Sequence, residues 1–113
     1  MIIYLASPIR PKGDQTLRGN IDNAKKIALE LWGKGYTVFC PAANTDLPSE
    51  AAHALEKPAK FWLDADLEIL AKCDALVLIP GWQDSEGCRG ELVFAYWKNM
   101  PIHIYPDLPE VKE

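Results

Sequence analysis

Two carboxylates stand where the patterning of their own helices leaves no place for them. In "KFWLDADLEILAKCD", a pitch of 100° per residue puts Trp62, Leu63, Ile69 and Leu70 within about 60° of Asp66, so this acid lies in the middle of an apolar stripe, while Asp64 points away. A carboxylate held there loses water, and unless it is paired its pKa rises. It reads either as a structural aspartate capping a nearby loop or as a functional acid in a cleft. The second case is "PGWQDSEGCRGELVFA", where Gly87 and Gly90 interrupt the first turns of a helix whose apolar run spans 92–97. Each glycine costs about 1 kcal/mol relative to alanine, and local rules are broken most often where a site needs the room.

Helical side chains lean toward the N-terminus of their helix. Glu91 therefore reaches back over Gly87, which has no side chain to block it, and Gly90 would let a ligand or a strand approach closely. Ser85 fits the N-cap, and the open amides of the first turn beside it make an anion site. A plain N-cap with a surface glutamate is the alternative. Tyr4, inside the first hydrophobic run, is alone an ordinary core residue; beside two inward carboxylates it becomes a hydroxyl partner for them. Trp82 follows "PG" in a loop and is free to stack on a planar group, whereas Trp32, Trp62 and Trp97 read as core or edge residues.

The elements that must position these groups follow from hydrophobic runs at 2–6, 36–40, 75–79 and 102–105, separated by helical patterns. That order, β-α-β-α-β-α-β, predicts an α/β fold with a parallel sheet covered by helices on both faces. The first helix, over 19–34, carries Ile21, Ala24, Ala28 and Leu31 on one stripe, with Asp22/Lys26 and Glu30/Lys34 pairs outside and Gly33 and Gly35 at its end. A second helix starts near Pro58 and runs to about Lys72. The connection over 44–57, with Pro48 and a short helical turn from Ser49, has the length of a binding loop or lid. Ligands of open parallel sheets bind at the carboxyl ends of the strands. That rule selects four stretches: "YLASPIRPKGDQ" after the first strand, with Ser7, Ile9 and Arg10; "CPAANTD" after the second, with Asn44; "PGWQDSEG" after the third, with Trp82, Ser85 and Gly87; and "YPD" after the fourth.

Composition narrows the partners. With 113 residues, 49% hydrophobic and 25% charged, the chain is expected to be one domain, 1–113. The net charge is −4 and no basic run exceeds Lys25-Lys26, which argues against a nucleic acid polymer as partner. The N-terminus reads as neither a signal peptide nor a membrane span, so the expectation is a cytoplasmic protein without membrane contact. Cys40, Cys73 and Cys88 read as buried free thiols. There is no CxxC, His53 and His103 stand alone, and neither a metal nor another cofactor is expected.

"IYLASPIR", followed far downstream by "DLEILAKCDALVLIPGW" and "DSEGCRGE", resembles the nucleoside 2-deoxyribosyltransferase superfamily over nearly the whole chain. The most specific elements are Ser-x-Gly-x-x-x-Glu, here Ser85, Gly87 and Glu91, and the Asp-Leu-x-x-Leu segment, here starting at Asp66. The resemblance implies a flavodoxin-like (Rossmann-like) three-layer fold with four to five parallel strands, and cleavage of the N-glycosidic bond between a base and (deoxy)ribose. It implies Glu91 as nucleophile, Tyr4 orienting it, and Asp66 holding or protonating the leaving base. Water or a second base would then resolve a glycosyl-enzyme ester, giving a hydrolase or a transferase.

Members of that family acting on free nucleosides carry an acid six residues before the nucleophile, and members hydrolysing nucleoside monophosphates carry serine. Ser85 therefore implies a 5′-monophosphate substrate, with Arg10 as a second phosphate contact. A non-catalytic nucleotide-binding module of the same fold is the third reading. A homodimer is implied by the family. Only eight residues follow Tyr105, where related enzymes have more chain and use it to complete a neighbour's site.

Overall fold

In the computed structural model, which describes residues 1–46 and 57–110, four strands form one parallel sheet. They are β1 (Ile2–Ala6), β2 (Thr37–Phe39), β3 (Ala75–Leu78) and β4 (Ile102–Ile104), in the order β2-β1-β3-β4. Tyr4 faces Phe39 on one side and Leu76 on the other in this register. The expected turn from Ser49, Pro48 and His53 lie outside the described residues. Four strands are found among the described residues, the lower of the expected numbers, and the architecture is the flavodoxin-like α/β fold.

Alternation along β1 divides the core. Ile3 and Leu5 join Val38, Val77 and the buried face of the first helix, whereas Tyr4 and Ala6 join Leu76, Leu78, Leu70, Cys88 and Ala95 on the opposite face. The first face is covered by α1 (Leu17–Gly33) and the short α2 (Pro41–Asn44). The second is covered by α3 (Ala59–Leu70) and α4 (Glu86–Trp97). Because side chains alternate, Tyr4 necessarily points toward the two helices that carry Asp66 and Glu91.

Helix α1 begins two residues earlier than the pattern predicts, because Thr16 caps it: its Oγ1 accepts from the Gly19 amide at 2.9 Å. Ile27 joins Ala24, Ala28 and Leu31 in the buried stripe, and Ile21 is only half-buried. The outer pairs also differ from expectation. Asp22 is taken by Arg18, one turn before it, at 2.9 Å, and Glu30 accepts from the Tyr105 hydroxyl at 2.5 Å. Pro58 caps α3 from outside instead of opening its first turn, and the helix stops at Leu70. Strand β2 ends at Phe39 because the chain enters α2 at Cys40-Pro41. Cys40 and Cys88 are buried and Cys73 half-buried, all three as free thiols. Among the described residues no helix is long and apolar enough to cross a membrane.

The chain leaves β1 toward β2 and later returns past β1 to β3. The loops after β1 and β3 therefore diverge at neighbouring strand ends, and an open crevice forms between them. The candidate site occupies that crevice.

Candidate active site

Helix α4 begins in a tightly specified turn. Gly81 adopts a φ of 98°, in the left-handed region that glycine alone enters without strain. It leads into a 3₁₀ turn, Trp82–Asp84, and then to Ser85 in an extended conformation. The Ser85 Oγ accepts from the Cys88 amide at 3.2 Å and so caps α4. Five residues into the helix, Glu91 is 6% exposed, the one buried charged residue among those described. Its Oε2 accepts a short hydrogen bond from the Tyr4 hydroxyl on β1.

Burial pushes the Glu91 carboxyl up to about 7; the Tyr4 hydrogen bond opposes that rise and the charge of Asp66 adds to it. Burial alone pushes Asp66 up to about 6. Tyr4 is driven far above the ordinary phenol range by burial, then by the Glu91 carboxylate beside it, so at any ordinary pH it is a neutral donor. The result is two proton-holding carboxyls that titrate near neutrality at one site, in the range that general acid–base chemistry uses.

Both line a cleft of about 990 Å³, together with Ser7, Ile9, Arg10, Ser85 and Gly87. A Cβ added to Gly87 would meet only the Ser85 Oγ, at 3.9 Å, so the space over that position belongs to the cleft. At Gly90 the expectation of an unusually close approach does not hold. A Cβ there would meet Leu63 of α3 at 3.8 Å, an ordinary contact.

Two sequence candidates lie elsewhere. Trp82 is half-buried against the core face that contains Tyr4 and Leu78, outside the cleft lining, and its Nε1 is shielded with no hydrogen-bond partner. Following the left-handed Gly81, its ring falls on the core side. Asn44 is exposed at the end of α2, whereas Pro41 and Thr45, one turn apart, share the face that lines the cleft. The aromatic residue that does line the cleft is Trp62. Its signal was present in the sequence, since it stands one turn before Asp66 on the same stripe. Lys12, Lys57, Lys60 and Arg89 add positive charge to the lining around Asp66, Asp84, Glu86 and Glu91. Arg89 is partly committed, donating from Nη1 to the Gln83 carbonyl at 2.7 Å, and Lys60 pairs with Asp64 at 2.7 Å.

The family model described as "Domain of unknown function (DUF1937)" matches residues 1–107. No curated protein matches the chain. Among solved structures, the chain is similar to a 2-deoxyribosyltransferase from the psychrotolerant bacterium Bacillus psychrosaccharolyticus, described as a biocatalyst for the synthesis of antiviral and antitumoral nucleosides. The TM-score is 0.65 at 23% identity, over 97% of this chain and 77% of that one. The likeness is one of fold, and it agrees with the 2-deoxyribosyltransferase-like architecture implied by the sequence motifs.

Proposed function

The chain belongs to the DUF1937 family, and we propose that it cleaves the N-glycosidic bond of a (deoxy)nucleoside 5′-monophosphate, with Glu91 as nucleophile. The observation that carries this reading is the buried Glu91 carboxylate, held by the Tyr4 hydroxyl at the wall of a cleft that Asp66 also lines. A carboxylate fixed by one hydrogen bond keeps its other oxygen for attack, and burial removes the water that would otherwise shield it.

Ionised Glu91 attacks C1′ of the sugar as the bond from C1′ to the base nitrogen breaks, through an oxocarbenium-like transition state. The bonding pair leaves with the base, and protonated Asp66 supplies the proton that neutralises it. Water then attacks C1′ of the glycosyl ester, with Asp66 now accepting its proton, and Glu91 is released as a carboxylate. Tyr4 keeps Glu91 in one rotamer and stabilises its charge before attack and after release. The Ser85 hydroxyl and the first-turn amides of α4 receive the 5′-phosphate, with Arg10 as a second contact, and Trp62 offers a flat apolar surface for the base.

A second reading, base exchange on free deoxynucleosides, is favoured by the similarity to a 2-deoxyribosyltransferase. It shares the covalent step and differs in substrate, a free nucleoside, and in which nucleophile, base or water, resolves the ester. A module that binds nucleotides without turnover is the third. Incubating the protein with each common nucleotide and nucleoside, and measuring free base with and without a second base, separates all three. A homodimer in a reducing compartment goes with the reading. The free thiols and the exposed Val93, Tyr96 and Trp97 of α4 support it.

A further inference from the structure

Helix α1 packs its buried stripe on the sheet, yet one residue in its first turn reaches out to the rim of the cleft. The Asn20 Nδ2 donates to the Ile9 carbonyl at 3.0 Å and to the Gln15 Oε1 at 3.3 Å. The same Gln15 oxygen accepts from the Lys12 amide at 3.1 Å, and the Gln15 amide closes the turn by donating to the Lys12 carbonyl at 3.1 Å. Both partners of the Asn20 amide are acceptors, so only its NH2 end fits there and both of its protons are used. Asn20 is half-buried and rooted in α1, whose buried stripe is packed on the sheet. Residues 9–12 are therefore tied at both ends to a rigid helix through one side chain.

Ile9, Arg10 and Lys12 of this segment line the cleft. Among the described residues the Arg10 and Lys12 side chains form no ion pair. They are long, exposed cations on a loop, and such groups bind an anion tightly only if the backbone beneath them is already ordered, because the ordering otherwise opposes binding. We infer that Asn20 is a positioning residue: acting through Ile9 and Gln15, it holds the 9–12 segment so that Arg10 meets the phosphate of the substrate, and it thereby sets the preference for a phosphorylated over an unphosphorylated ligand. The inference rests on the nucleotide reading above.

The test measures affinity, so that it does not depend on turnover. Glu91→Gln protein is titrated calorimetrically with the common nucleoside 5′-monophosphates and with their nucleosides, and the tightest pair is taken forward. Asn20→Ala in that background is expected to weaken the monophosphate about tenfold, the loss of one charge-assisted hydrogen bond, and to leave the nucleoside within about twofold. Arg10→Ala should cause a similar loss, and adding Asn20→Ala to it should cost little more, since the two act on one contact. Gln15→Ala, at an exposed position, leaves the Ile9 bond in place and should lower the same ratio by a smaller factor, about threefold; this variant keeps the test open if Asn20→Ala folds poorly. Equal weakening of both ligands, an unchanged ratio, or full additivity with Arg10→Ala would overturn the inference. If neither ligand binds, the nucleotide reading fails and the inference with it. If the expected pattern appears while the wild type releases no base from any substrate, the inference stands and the cleavage reading fails.

Discussion

The Tyr4 hydroxyl donates to the Glu91 carboxylate across 87 positions of sequence, joining the strand at the centre of the sheet to the helix that covers it. Neither residue reaches the other by local geometry. The contact exists because alternation turns Tyr4 toward the α3/α4 face and the Ser85 cap fixes the phase of α4. Both conditions are set by residues outside the pair, so each can be disturbed separately.

Removing the hydroxyl alone is the mildest disturbance. Tyr4→Phe keeps the ring in its fully buried place but withdraws the one hydrogen bond that favours ionised Glu91. A bond to a charged group contributes about 1.5–3 kcal/mol, so kcat/KM at neutral pH should fall roughly 10- to 100-fold. Because Glu91 then titrates still further above Asp66, the alkaline limb of the pH-rate profile and its maximum should move to higher pH while the acidic limb stays in place. A profile unchanged in position would show that Tyr4 is only a core residue.

The pH dependence carries a sign that follows from burial. Productive enzyme needs Glu91 ionised and Asp66 protonated, with the two groups raised to about 7 and about 6. The required form is a minority at every pH and peaks between the two values. A bell-shaped kcat/KM with its maximum at about pH 6.5 is expected, its limbs belonging to the pair. Asp66→Asn should lower activity, abolish the alkaline fall, and change the melting temperature little, because the apolar stripe stays intact. Survival of the alkaline limb, or a large stability loss with activity per folded molecule kept, would assign Asp66 a structural part instead.

Ser85 separates the two leading substrate classes. Aspartate is as good an N-cap as serine, so Ser85→Asp should leave α4 in place while its charge competes for the same amides and repels a phosphate. Nucleoside monophosphates should lose at least ~1.5 kcal/mol in kcat/KM, more than tenfold, and free nucleosides little or nothing. The ratio of the two kcat/KM values is diagnostic, because general damage cancels in it. A wild type that already prefers nucleosides, or a ratio that the substitution leaves alone, would move base exchange ahead of monophosphate hydrolysis.

What could be read from sequence was set locally. The strands follow from hydrophobic runs, Ser85 from its fitness as an N-cap, Asp66 from the 3.6-residue helical period, and Glu91 from the N-terminal lean of helical side chains over Gly87, all within one element. Contacts that depend on how a loop leaves an element were not legible. Trp82 was expected in the cleft and lies on the core, because the left-handed Gly81 redirects the chain just before it. Asn44 was expected at the cleft, which Thr45 lines instead, one residue along a helix too short to show a pattern. Arg18 pairs with Asp22 and forks onto Asp46, at 3.0 and 2.8 Å, a link from α1 to the end of the α2 segment that no local spacing announces. Helical phase places Trp62 on the same stripe as Asp66, and the two line the cleft together.

Whether Glu91 forms a covalent bond to the sugar is decided by Glu91→Gln. The amide keeps the shape of the side chain and can still accept from Tyr4, but it is a poor nucleophile. A carboxyl raised to about 7 from an ordinary 4.5 holds its proton more tightly in the fold than in the unfolded chain. Its contribution to stability is therefore full below about pH 4.5 and is lost as pH rises through about 7. Above neutrality the uncharged variant should accordingly melt no lower than the wild type. Release of base from the preferred nucleotide at pH 6.5, measured on the folded variant, should fall by several orders of magnitude, with the nucleotide still bound. Turnover at the wild-type rate by folded Glu91→Gln protein would rule out Glu91 as the nucleophile.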